Sequence, residues 1–144
     1  MLEKTNQNLT VMTDERSGFG IFLTFSGQCA QALTYYRKCF GGELLMQTMA
    51  DEYSDRMLDE RMKGIVISAT LTNNYFKMVA TDLTGDCGVI IGNNISILVE
   101  CRTLAERNRL SNFLGKHINP NCHNDDKLVC VLDRYSINWI LSLK

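Results

Sequence analysis

Only two histidines are available for acid–base or metal chemistry, His117 and His123, and both fall in the stretch HINPNCH with Cys122. A Cys-His cluster can bind zinc. The spacing H-x4-C-H is not a recognised finger pattern, however, and adjacent Cys122 and His123 point opposite ways in an extended chain. A solvated loop is the plainer reading. No Ser-His-Asp or Cys-His order can be built when both histidines share one loop. General acid–base work would then fall to a carboxylate, tyrosine or cysteine. Paired carboxylates occur at Asp51-Glu52 and Asp59-Glu60. They read as surface charge, with one carboxylate reaching over a cleft as the functional alternative. The glycines of GDCGVIIG lack a P-loop lysine and the GxGxxG order, so phosphate binding is not supported.

The last candidate lies in the closing stretch DRYSINWILSLK, where an extended apolar run carries one amide, Asn138, beside Trp139. A buried amide must be satisfied. Asn138 has two readings: it bonds to backbone or water, or it faces a cleft and exchanges hydrogen bonds with a ligand. If Asn138 faces a cleft, Trp139 points to the opposite face of the strand. It then reads as sheet-to-helix core rather than as a stacking platform.

Bulk properties narrow the classes. The chain has 144 residues, which suits one domain or two small modules sharing a core. The formal net charge is −1, so there is no bulk attraction to nucleic acid or to an anionic membrane. No apolar run approaches a membrane-spanning length. The opening MLEKTNQNLTVMTDERSG has no apolar core of the secretory kind, so a cytoplasmic location is expected. The six cysteines form no CxxC pair and are expected as free thiols, used mostly as small buried apolar groups.

The elements that must position these residues follow from the hydrophobic pattern. Residues 1–17 are polar and aperiodic, an arm or a short extra strand. GIFLTFS at 20–26 reads as a strand. Gln28 to Phe40 reads as a helix with Ala32, Tyr35, Tyr36 and Cys39 on one face, capped by Ser26 and stopped by Gly41-Gly42. Glu43 to Met49 reads as a strand, and 50–63 as a polar flap or short helix. Residues 64–72 and 75–81 form a hairpin about Asn73-Asn74. After a glycine-punctuated link the order restarts: a strand from Asn94 to Cys101, then a helix from Thr103 to Leu114 with a capping box completed by Glu106. A shortened strand or loop follows within 116–126, and strands at 127–132 and 136–143 close the chain. This is α+β, two tandem βαβββ units: residues 18–82, a linker at 83–92, and residues 93–144. Pairing the two sheets would close a curved half-barrel around a cleft, a typical small-molecule site.

LTFSGQCAQALTYYRKCFGGEL resembles the opening of the vicinal-oxygen-chelate superfamily, in particular the PhnB-like branch of glyoxalase and bleomycin-resistance proteins. The shared features are Phe25, Gly27, Tyr35-Tyr36 and Phe40-Gly41-Gly42. ISATLTNNYFKMVATD is similar to that branch's central hairpin, ending at Asp82, and DRYSINWIL to its closing strand. The resemblance spans residues 20–143 and implies a glyoxalase-like fold. In the metal-dependent members, four strand positions project ligands into the cleft. The resemblance places those positions near Ile21 and Met78 in the first half, and at Asn94 and Asn138 in the second. Two apolar groups and two neutral amides do not make a transition-metal site. No metal and no other cofactor is therefore expected.

Three functions remain open. One is a metal-free binder of a small apolar or mixed-polarity molecule, with Ile21, Met78, Asn94 and Asn138 lining the cleft. The second is a divalent-metal-dependent lyase, isomerase or dioxygenase, for which Asp82, Glu100 and Asp133 would be the carboxylates to consider. The third is an interaction module whose cleft is filled by its own side chains. The resemblance implies a homodimer, and the exposed sheet edges need cover. No motif for a methyl-donor cofactor is visible. Fold alone does not choose among these functions.

Overall fold

The computed structural model describes residues 18–54, 57–115, 117–118, 125 and 127–144. The arm expected over 1–17, and Cys122 and His123 of HINPNCH, lie outside the described residues. The first unit runs β1 (Ile21–Thr24), α1 (Cys29–Phe40), β2 (Glu43–Thr48), two single turns α2 (Met49–Glu52) and α3 (Glu60–Lys63), β3 (Val66–Thr72) and β4 (Lys77–Thr81). The second runs β5 (Ile97–Cys101), α4 (Leu104–Leu114), β6 (His117–Ile118), β7 (Leu128–Leu132) and β8 (Asn138–Leu143). The sheets have the orders β1-β4-β3-β2 and β5-β8-β7-β6. Each unit is therefore βαβββ with the same strand order, and in each the first and last strands pair in parallel.

The period-2 alternation assigns each strand's faces. In the first sheet Ile21, Leu23, Leu44, Met46, Ala69 and Met78 point to the helix side and join the core. Phe22, Leu45, Gln47 and Ser68 point the other way and are exposed. In the second sheet the core side carries Val131, Trp139 and Leu141. Trp139 makes the units one body: its ring lies 5.3 Å from Tyr36 and 5.2 Å from Phe40, both on α1. Its burial confirms the sheet-to-helix reading. Aromatic pairs at such distances add about 0.5–1.5 kcal/mol each beyond their buried area.

Several boundaries differ from the sequence reading, each for a local reason. Ser26 does not cap α1, and the N-cap residue Gln28 makes no side-chain bond. The cap comes from Asp82, 53 residues beyond Cys29. Its Oδ1 accepts the Gly27 and Cys29 amides at 2.9 and 3.0 Å, while its Oδ2 accepts the Val66 amide at 2.9 Å. One carboxylate thus ties the α1 start to the β3 start at the end of β4. The helix stops at glycine as expected. Gly41 and Gly42 have φ of 72° and 109°, and a Cβ on Gly42 would sit 2.6 Å from the Thr72 carbonyl oxygen. At α4, Thr103 accepts the Glu106 amide at 3.1 Å, but the Glu106 carboxylate returns to the Arg102 amide rather than to Thr103. The Asn73 side-chain oxygen accepts the Tyr75 and Phe76 amides at 2.8 and 3.1 Å, so the turn extends to Phe76 and β4 begins at Lys77. β5 begins at Ile97, three residues after Asn94.

The expectation of six free thiols is corrected. Cys29, Cys39, Cys87 and Cys101 are free, but Cys130 on β7 is disulfide-bonded. Disulfides join residues by spatial approach, which no sequence spacing reveals. No helix among the described residues is long and apolar enough to cross a membrane.

Candidate functional site

The four positions expected to line one cleft do not converge. Ile21 and Met78 face each other across the β1–β4 ladder, on the helix side of the first sheet. Asn94 precedes β5, is exposed, and lies outside any strand. Asn138 opens β8 opposite Leu132 and alternates with Trp139, so it lies on the face away from the helices. It is 7% exposed and its amide Nδ2 donates to the Gly92 carbonyl at 3.3 Å. That bond anchors the end of the linker to β8 and supports the backbone-bonded reading of this amide.

The carboxylates held open for metal chemistry are equally decided. Asp82 is spent on the three amides that fix α1 and β3. Asp133 is 5% exposed. Its Oδ1 accepts the Tyr135 and Ile137 amides at 2.8 and 3.0 Å. Its Oδ2 accepts the Tyr36 hydroxyl at 2.6 Å and the Trp139 indole at 2.8 Å. Burial, and then the neighbouring Asp133 charge, push the Tyr36 hydroxyl well above its ordinary pKa, so it stays a donor. Glu100 on β5 is the exposed member of the three, and its partner is Lys144 at 3.7 Å.

A cavity of about 700 Å³ opens between the units. Ile21 and Met78 line it from the first unit, with Phe40 at the end of α1 and Phe76 at the β3–β4 turn. The whole run Ile97–Glu100 along the unpaired edge of β5 forms the facing wall, and Trp139 lies behind it. Arg102, Glu106 and Arg109, from α4 and its approach, stand at the polar side with Glu100 and Lys144. The volume falls within the range of small-molecule sites. None of the described residues of the 50–63 segment lines this cavity. Sequence reasoning missed Arg102, Arg109 and Lys144. The available signal was that Arg102 and Lys144 follow β5 and β8 directly and that Arg109 lies within α4, elements whose neighbours were not known.

Two neighbours match this arrangement over nearly their whole length. Protein PA1353 from Pseudomonas aeruginosa superposes with a TM-score of 0.67 at 21% identity, covering 88% of this chain and 98% of that one. The PhnB protein from Bacillus cereus gives 0.60 at 22%, covering 89% and 100%. A third match is more distant in sequence. The genomically encoded fosfomycin resistance protein FosX from Listeria monocytogenes gives 0.53 at 11%, covering 90% and 92%. The fold is that of the vicinal-oxygen-chelate superfamily. Neither a family model nor a curated protein matches the sequence.

A FosX mutant has been solved with Mn(II) and 1S,2S-dihydroxypropylphosphonic acid. That neighbour holds a metal, whereas the described residues of this chain do not offer a donor set that fits one. Among the described residues no group of three or more His, Cys, Asp and Glu could hold an ion. Ile21 and Met78 supply no hard donor, and Asn138 is turned to backbone. A single exposed carboxylate, Glu100, with a lysine beside it does not replace three or four convergent ligands.

Proposed function

We propose that the protein binds a small organic molecule in the cavity between its units, without a divalent metal, and that it works as a homodimer. The observation that carries the reading is the cavity itself. A space of about 700 Å³ has an apolar wall from both units, while Asp82 and Asp133, two of the carboxylates that could serve a metal, are spent on structure. Such a wall with a few polar groups at one side is the usual make-up of a small-molecule site.

The dimer reading rests on the unpaired edges. β1 and β5 each pair on one side only. Beside them Phe22 is 65% and Leu98 58% exposed. An exposed edge flanked by large apolar groups is ordinarily covered.

Elemental analysis of the purified protein tests the metal-free part, followed by thermal unfolding with Zn²⁺, Ni²⁺, Mn²⁺ or Fe²⁺ added. A tight native-state ligand raises the melting temperature by mass action. The expected result is no stoichiometric metal and no ion-specific shift. A stoichiometric ion that raises the melting temperature would overturn the reading and favour a metal-dependent enzyme.

A further inference from the structure

We propose that the cavity takes an organic anion, an apolar body carrying one acid group that docks on Arg102. The proposal rests on the reading of the cavity as the ligand site and adds the ligand's chemical class.

Three cations line the cavity, Arg102, Arg109 and Lys144, against two carboxylates, Glu100 and Glu106. Both carboxylates are engaged. Glu100 faces Lys144 at 3.7 Å, and Glu106 accepts the Arg102 backbone amide at 3.1 Å. Arg109 spends one Nη2 bond on the Cys39 carbonyl at 3.3 Å, bridging α4 to the end of α1. Among the described residues no hydrogen bond or ion pair engages the Arg102 guanidinium. The uncompensated charge beside the cavity is therefore positive. It is carried by a planar fork of donors suited to a carboxylate or phosphate. The low-dielectric wall behind it strengthens the attraction.

Charge alone would also draw an inorganic anion. The rest of the wall argues for more. Ile21, Phe76, Met78 and Trp139 offer nothing to a bare ion, which would fill a small part of the space. They would bury an apolar body, and burial of that body is the driving force that an exposed guanidinium cannot supply in water.

The test uses two probes of the same shape, 1-naphthylacetic acid and its neutral amide, titrated calorimetrically into the intact protein. The acid should bind about ten-fold more tightly than the amide, the scale of one charge-assisted contact. Arg102→Gln should bring the two affinities together. Arg102 is exposed and makes no core contact, so the variant should fold, as circular dichroism will show. Val99→Phe, which intrudes on the cavity wall, should weaken both probes. Equal binding of acid and amide, or an acid preference that survives Arg102→Gln, overturns the anion assignment and leaves the cavity reading standing. Binding of neither probe, or binding of both that Val99→Phe does not touch, overturns the cavity reading and this proposal with it.

Discussion

The indole nitrogen of Trp139 donates to the Asp133 carboxylate at 2.8 Å, and the same oxygen takes the Tyr36 hydroxyl at 2.6 Å. Tyr36 belongs to the first unit and Trp139 to the second, so one buried carboxylate oxygen joins the units at their shared core. Asp133→Ala would leave the hydroxyl and the indole N–H buried without an acceptor, and would also free two turn amides. Breaking a buried charged network in this way costs about 3–5 kcal/mol. Urea unfolding should show that loss. A change below about 1 kcal/mol, the worth of one ordinary hydrogen bond, would show that the network does not hold the units together.

Asn138 is expected to matter for stability rather than for ligand. Its amide serves the Gly92 carbonyl, and it does not line the cavity. Asn138→Ala should lower stability by about 1–2 kcal/mol while leaving probe affinity unchanged. This reverses the expectation drawn from the closing strand alone. Loss of probe binding with unchanged urea stability would restore it.

Gly42 is fixed by two independent constraints, a φ of 109° and the Thr72 carbonyl oxygen 2.6 Å from where a Cβ would stand. Gly42→Ala should destabilise by about 1–3 kcal/mol, since the backbone must shift or the α1–β2 corner must open. Gly64, with open space where its Cβ would go and no positive φ, is the control. Gly64→Ala should be nearly neutral in the same urea series.

The buried thiols give a pH dependence of definite sign. Burial, with Asp82's charge second, pushes Cys29 from 9.0 to about 12, and burial pushes Cys39 to about 11. Both folded-state values lie above the unfolded one, so the folded chain binds more protons between them. Their contribution is fully present below pH 9 and is lost as pH rises through 11 to 12. The urea midpoint should therefore decline over that window, and Cys29→Ala should flatten the decline. At pH 8 an alkylating reagent should label Cys87, which is exposed, well before Cys29, Cys39 or Cys101. Equal labelling of Cys29 and Cys87 in the native state would contradict the packing of α1.

The fold was legible because its signals are local. Tyr36 and Cys39 recur on the core face of α1, Gly41-Gly42 ends that helix, and Thr103 with Glu106 marks the start of α4. The order of elements then repeats, and the repeat points to two like sheets. What failed depends on contacts far apart in the chain. The cap of α1 comes from Asp82 rather than Ser26, and the bond of Cys130 comes from spatial approach. The site failed for a different reason. Alternation along a strand tells which residues share a face, but not which face meets the partner element. Ile21 and Met78 were set together and both line the cavity, whereas Asn138 lies on the other face of its own sheet from Trp139. Asn94 was placed on a strand that starts later. Arg102 and Arg109 carry no motif, and become visible only when α4 is seen standing against the end of α1.

The central claim is a metal-independent ligand site between the units. Its most direct test is a small-molecule thermal-shift screen run in EDTA on the native protein and on Val99→Phe. The account predicts that at least one compound raises the native melting temperature in EDTA, and that the shift disappears in Val99→Phe. Shifts that need an added divalent ion, or that persist when the cavity wall is filled, would contradict it.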